Sequence, residues 1–239
     1  MQDGKTEIIC VMDCSGSMRS IADDAIGGFN SLIEQQAAGL EEGEEVLVST
    51  FLFNTTSRAL YQNVPVTEVS EMTRDTFVCT GGTALYDAVG EAMTSVGARL
   101  VRTADEDRPS KVIVCIVTDG QENSSREFSQ QAVAEMISHQ QDVYSWEFMF
   151  LAANIDADST ASALNIPKNA VLGYQATAKG TQEMYERMNE ALYRGRRSQG
   201  ASFEEAPSLE DIADVLNGGV EVPPLEAPTS EEEVPTPET

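Results

Sequence analysis

The chain is expected to adopt a doubly wound α/β fold. Its central sheet is mostly parallel, with one antiparallel edge strand and helices on both faces. Three observations point there. Strand-length apolar runs alternate with stretches whose apolar residues recur every three or four positions. Two of the runs, residues 8–12 and 111–118, lack the apolar–polar alternation of a half-exposed strand, so they read as strands covered on both faces. Both runs meet a carboxylate, Asp13 or Asp119, and in open parallel sheets binding sites form beyond the carboxyl ends of strands.

Taken in order, residues 8–12 form the first strand. From Met18 to about Leu40 the apolar residues fall on one face of an amphipathic helix. Gly27 and Gly28 interrupt it at some cost in propensity, which suits a close approach to the sheet. Gly39 to Gly43 ends it. Residues 45–53 form the second strand, and Asn54-Thr55-Thr56 turns the chain into a more polar third strand over 58–64, closed by Pro65. That antiparallel pair puts the third strand at the sheet edge. A connector over 66–78 leads to Cys79-Thr80-Gly81-Gly82-Thr83, where the glycines permit a tight loop. The helix after it carries Leu85, Val89, Ala92, Met93, Val96 and Leu100 on one face.

A charged loop over 102–109 precedes the strand at 111–118. Ser124-Ser125-Arg126-Glu127 has the pattern of a capping box, opening a helix with Phe128, Val133, Met136 and Ile137 inward. Residues 144–152 form a fifth strand, with Trp146, Phe148 and Phe150 directed to the core. Asp158 caps a short helix running to Leu164, residues 170–173 give a sixth strand, and residues 181–194 form the last helix.

The chain of 239 residues divides into a domain over 1–198 and a tail over 199–239. The tail holds 11 acidic residues and no lysine or arginine. One short helix is expected in it at 207–217, and the rest reads as disordered. The whole chain has 15 basic and 40 acidic residues, a net charge of −25, which argues against nucleic acid or an anionic membrane surface as partner. No apolar run approaches the roughly 20 residues that span a bilayer. Met1-Gln2-Asp3-Gly4-Lys5 leads straight into the first strand, so no signal peptide is expected. Cys10, Cys14, Cys79 and Cys115 contain no Cys-x-x-Cys pair, which speaks against zinc and for free thiols in a reducing, cytoplasmic setting.

The chemistry concentrates after the first strand. In Asp13-Cys14-Ser15-Gly16-Ser17, alternate residues of an extended segment point the same way, and Gly16 allows a bend. Asp13, Ser15 and Ser17 then aim hard oxygen donors at one point, a donor set suited to Mg²⁺, with Mn²⁺ or Ca²⁺ as alternatives. If the first strand neighbours the 111–118 strand, Thr83 and Asp119 join them at one sheet edge. Each piece also has an ordinary reading: Ser17 and Thr83 as helix N-caps, and Thr118-Asp119-Gly120 as a turn.

Asp-x-Ser-x-Ser after a first strand, Gly-Gly-Thr in mid-chain and Thr-Asp-Gly after a later strand together resemble the von Willebrand factor A domain. The resemblance covers about residues 6–198. It implies a Rossmann-like fold and a metal-ion-dependent adhesion site, matched at Asp13, Ser15, Ser17, Thr83 and Asp119. It implies that the three hydroxyls ligate the metal directly, with the carboxylates acting directly or through water. Without a secretion signal or disulfide pattern, the chain is most similar to the intracellular prokaryotic members.

The implied function is a Mg²⁺-dependent protein-interaction module that takes an Asp or Glu of a partner, and not an enzyme. The alternative is a non-catalytic regulatory or scaffold subunit beside an AAA+ ATPase or in a tellurium-resistance-like stress system. A phosphotransferase is a remote third reading: it needs a second carboxylate two positions after Asp13, where Ser15 stands. Gly-x-Ser-x-Gly is absent, and His139 is the only histidine. Arg194, Arg196 and Arg197 read as partners of a helix carboxyl end, and Asp87 as either a support for the site or a solvated residue. Asn154 and Asp156 border the site. A tail carboxylate among Glu226 and Glu231 to Glu233 is a candidate competitor for the metal. Asp13→Ala and Ser15→Ala are expected to remove Mg²⁺ affinity and spare the fold, as both positions read as surface loop.

Overall fold

The computed structural model describes residues 2–198, with side chains described from residue 4. The expected tail at 199–239, its helix at 207–217 and its candidate competing carboxylates lie outside the described residues. Six strands form one sheet in the order β3-β2-β1-β4-β5-β6. They are β1 (Gln2–Asp13), β2 (Glu45–Phe53), β3 (Ser57–Pro65), β4 (Pro109–Thr118), β5 (Glu147–Ala153) and β6 (Val171–Tyr174). Only the β2–β3 pair is antiparallel, so the hairpin at Asn54 and the edge position of β3 are as expected.

The strands of the sheet's interior are long β-branched and aliphatic runs, and side-chain alternation divides them between two cores. Ile8, Cys10 and Met12 face α1 (Ala22–Ala38) and α5 (Ala178–Arg197). Ile9 and Val11 face α2 (Leu85–Arg102), α3 (Gln130–Tyr144) and α4 (Ala157–Ala163). The chain leaves β1 toward β2 on one side and later returns to β4 on the other. The strand order therefore reverses between β1 and β4, where Asp13 and Asp119 stand. Among the described residues no helix is long and apolar enough to cross a membrane.

Several boundaries depart from expectation for local reasons. The first helix begins at Ala22, after a separate 3₁₀ turn over Ser17–Ile21. Gly28 allows an approach to α5 and not to the sheet, since a β-carbon there would lie 2.1 Å from the Tyr185 ring; Gly27 meets nothing within 4 Å. The expected capping box is a loop instead. Glu122 takes the amides of Ser124 and Ser125, Asp87 takes those of Arg126, Glu127 and Phe128, and Ser129 caps α3. Tyr144 closes α3, and the left-handed Ser145 (φ 54°) delays β5 to Glu147. Asp156, not Asp158, caps α4 by accepting from Ser159 N at 3.0 Å. Arg196 and Arg197 do serve a helix carboxyl end, but it is that of α1, through the Gly39 carbonyl.

One buried feature escaped the sequence reading. Glu7 has no exposed surface and pairs with Arg99 at 2.5 Å, while Ser49 Oγ donates to it at 2.7 Å. A glutamate inside an apolar strand needs such partners, because an unpaired buried carboxylate is costly.

Candidate metal site

Three loops meet at the carboxyl ends of β1 and β4, and backbone hydrogen bonds tie them together. Gly16 N donates to Gly81 O at 3.0 Å, Thr80 N to Cys14 O at 3.0 Å, and Asn123 N to Thr83 O at 3.0 Å. Asn123 Oδ1 returns the contact by accepting from Thr83 N at 3.0 Å. Gly81 has φ +73°, and a β-carbon there would come within 2.5 Å of Thr55 Oγ1. A side chain at that position would push the Gly-Gly-Thr loop away from its neighbours.

All five expected residues converge here. Ser17 Oγ donates to Asp119 Oδ1 at 2.6 Å, and Ser15 Oγ lies 3.0 Å from Ser17 Oγ. A β-carbon built on Gly120 would lie 3.5 Å from Thr83 Oγ1 and 3.7 Å from Ser17 Oγ, so both hydroxyls border the same small space. Asp13 Oδ1 accepts from Ser15 N at 2.7 Å, and Asp13 Oδ2 accepts from Thr118 Oγ1 at 2.7 Å. The N-cap readings of Ser17 and Thr83 fail at this point, while Thr118-Asp119-Gly120 does bend, with Gly120 N donating to Thr118 Oγ1 at 3.3 Å. Neither Ser17 nor Thr83 caps a helix, since Gly16 and Ala84 hold the N-cap positions without a side-chain cap bond.

The electrostatics follow from burial. Desolvation raises the pKa of Asp13, against the opposing hydrogen bonds from Thr118 and Ser15, and the charge of Asp119 adds to the rise. Burial also raises Asp119, with the Ser17 hydroxyl opposing. Cys14 is pushed up to about 12 by burial and then by the Asp13 charge, so it is an inert thiol.

The donor set fits a hard cation. In an octahedral shell with oxygens at about 2.1 Å, adjacent ligands stand about 3.0 Å apart. The Ser15–Ser17 separation of 3.0 Å matches that edge. Among the described residues no group of three or more His, Cys, Asp or Glu side chains could hold a metal. The donors here are hydroxyls with two carboxylates, which suits Mg²⁺ better than a thiophilic ion.

Thr118, Asn123 and Glu122 were not expected as site residues. Thr118 orients Asp13; Asn123 and Glu122 hold the flanking loops, Glu122 accepting from Tyr86 N at 3.2 Å. Thr118 was visible in Thr-Asp-Gly, but only the fold puts its hydroxyl beside Asp13. Asn154 does border the site, donating from Nδ2 to Asp119 O at 3.3 Å, whereas Asp156 is spent on its cap.

No protein-family model matches the chain, and no curated protein matches it. Solved structures do resemble it in fold. Proximal thread matrix protein 1 from the mussel byssus, in a structure with a zinc-occupied MIDAS motif, is 14% identical with a TM-score of 0.55. The match covers 80% of this chain and 46% of that one. The PilB minor pilin from Streptococcus sanguinis is 10% identical, with a TM-score of 0.56 over 80% of this chain and 61% of that one. The vWF domain of the type V pili tip protein Mfa5 from Porphyromonas gingivalis is 7% identical, with a TM-score of 0.58 over 82% of this chain and 97% of that one. The chain thus spans about half of the byssus protein and three-fifths of the pilin. At these identities the likeness is one of fold, and that fold is the von Willebrand factor A type.

Proposed function

We propose that the chain is a metal-dependent protein-interaction module whose bound cation takes a carboxylate from a partner. The observation that carries this reading is the convergence of Ser15, Ser17, Thr83, Asp13 and Asp119 at the point where the strand order reverses. The hydroxyls of Ser15, Ser17 and Thr83 would hold Mg²⁺ with Asp119. Asp13 would add charge and fix the loop, since both its oxygens already accept hydrogen bonds. Bound there, the cation supplies a Lewis-acidic point with few protein charges around it, and so keeps affinity for an external anion. The zinc-occupied motif of the byssus protein supports metal binding by this fold.

The reading makes the chain a binder and not an enzyme. Both carboxylates of the site already accept hydrogen bonds, Asp13 from Ser15 N and Thr118 Oγ1 and Asp119 from Ser17 Oγ, an arrangement that suits anchoring a cation more than taking a substrate's proton. Its place in a reducing cytoplasm is part of the same proposal, supported by four free cysteines.

Burial changes which variant tests the reading. Asp13 is 0% and Ser15 1% exposed, so neither is the surface side chain the sequence suggested. Asp13→Ala would leave the Thr118 hydroxyl and the Ser15 amide without their acceptor, at about 1–3 kcal/mol. Ser17 is exposed and its side chain holds no backbone amide, but its hydroxyl donates to the buried Asp119 at 2.6 Å, so its loss should cost about 1–3 kcal/mol and leave the fold in place. Calorimetric titration with Mg²⁺ should give binding heat for the parent chain and none for Ser17→Ala. Equal heats would refute the assignment.

A further inference from the structure

In a chain of net charge −25, carboxylates are plentiful and most basic residues have found one. Lys5 pairs with Glu45, Arg99 with Glu7, Lys111 with Glu147 and Arg196 with Glu44. Among the described residues five arginines have no carboxylate within 4.0 Å: Arg19, Arg58, Arg102, Arg126 and Arg187. Arg102 ends α2 at the far pole. Arg19, Arg58 and Arg126 lie on the segments that border the face carrying Asp13 and Asp119, and Arg187 lies on α5, in a groove beside that face. Arg19 lies in the turn after Ser17 and donates to Cys79 O at 3.3 Å. Arg58 stands opposite Leu52 on the edge strand and donates to Thr76 O. Arg126 follows the Asp119 loop, its amide held by Asp87 at 2.8 Å.

Arg187 is half buried and lines a groove of about 550 Å³ with Ile155, Tyr174, Gln175, Lys179 and Glu183; Lys179 and Glu183 pair with each other at 3.4 Å, which leaves Arg187 as the groove's unpaired charge. The groove adjoins the site. The Tyr174 hydroxyl reaches Thr118 O at 3.4 Å, and Asn154, next to Ile155, reaches Asp119 O. Guanidinium groups kept from their own chain's carboxylates are free to meet another chain's, and they bind them in bidentate fashion.

We infer that this face takes a partner protein's segment bearing several acidic residues, with Arg19 and Arg58 meeting carboxylates on one side of the metal and Arg187 meeting one in the groove on the other. The inference rests on the metal-dependent reading above for its central carboxylate. A partner offering a single Asp would leave the three guanidiniums unused.

The test measures fluorescence anisotropy of the full chain with two labelled peptides of equal length, one all aspartate, the other with one aspartate among serines. In Mg²⁺ at low salt the acidic peptide should bind about tenfold more tightly, although the chain is itself strongly acidic. Arg19→Gln, Arg58→Gln and Arg187→Gln should each weaken it about two- to fivefold and leave the single-aspartate peptide unchanged. Ser17→Ala should weaken both peptides, and its failure to do so would count against the metal reading alone. Equal affinity for the two peptides, or no response to the arginine variants, would overturn the inference with or without Mg²⁺. So would tighter binding of a labelled oligodeoxynucleotide. A rise in acidic-peptide affinity on changing Glu231, Glu232 and Glu233 to Gln would assign the face to the chain's own C-terminal segment and overturn it too.

Discussion

Three carboxylates around the site, Asp13, Asp87 and Glu122, accept backbone amides from loops that would otherwise have no regular partner. Asp13 holds Ser15 N, Glu122 holds the amides of Ser124 and Ser125, and Asp87 holds three in a row at 2.8, 2.9 and 2.8 Å. Asp87 thus joins the first turn of α2 to the loop that follows Asp119, tying together the segments that carry Thr83 and Asp119. Burial works to raise the pKa of Asp87, but the three amide bonds outweigh it and hold the group below its ordinary 3.8. The sign of the linkage follows. A carboxylate whose native pKa is depressed stabilises the fold fully above the unfolded value and loses that contribution as pH falls through the native value. Urea unfolding of the parent and of Asp87→Ala should therefore differ most at neutral pH. The difference should shrink as pH drops below 3.8, and a gap independent of pH would show that the ionised carboxylate is not what the loop depends on.

At the level of elements, α1 shows how adjacent identical residues can have opposite roles. Gly28 faces α5, and a β-carbon there would lie 2.1 Å from Tyr185 Cδ2, against a ring that is itself only 5% exposed. Gly28→Ala should destabilise the domain by about 1–3 kcal/mol through overpacking. Gly27 faces open space, so Gly27→Ala should stabilise by about 0.4–1 kcal/mol by restricting the unfolded chain. Thermal melts of the two variants should move in opposite directions. Sequence periodicity placed the helix and both glycines, but it could not say which neighbour the close approach served, because that depends on α5 lying beside α1. The same limit explains the other misses. Asp158 and Ser124 carry good capping chemistry, yet Asp156 and Ser129 have the cap because strand ends and loop amides fix where each helix can start. The site itself was legible, since Asp13 and Asp119 lie immediately at or beyond the ends of β1 and β4, whose register brings Met12 opposite Val117. What was hidden was how deep it sits: Asp13 looks like a loop residue in the sequence and is fully buried in the fold.

For the molecule as a whole, excess negative charge bears on how the proposed metal site has to be tested. A chain at −25 repels itself, and any divalent cation will ease that repulsion without a specific site. Stabilisation by Mg²⁺ alone therefore proves little, and the comparison has to hold net charge constant. Ser17→Ala does so, because it removes a hydroxyl proposed as a ligand and no charge. A ligand at a hundredfold its dissociation constant stabilises the folded state by about 2.7 kcal/mol. For a domain of this size each kcal/mol raises the melting temperature by about 2–4 °C. The parent chain should then melt about 5–10 °C higher at saturating Mg²⁺ than in EDTA at matched ionic strength. The Ser17→Ala variant should show only the smaller shift that general screening gives. The difference between the two shifts is the specific contribution of the site. Were both proteins to rise by the same amount, Mg²⁺ would be acting on the surface charge at large, and the cluster at the ends of β1 and β4 would be only a hydrogen-bonded loop junction.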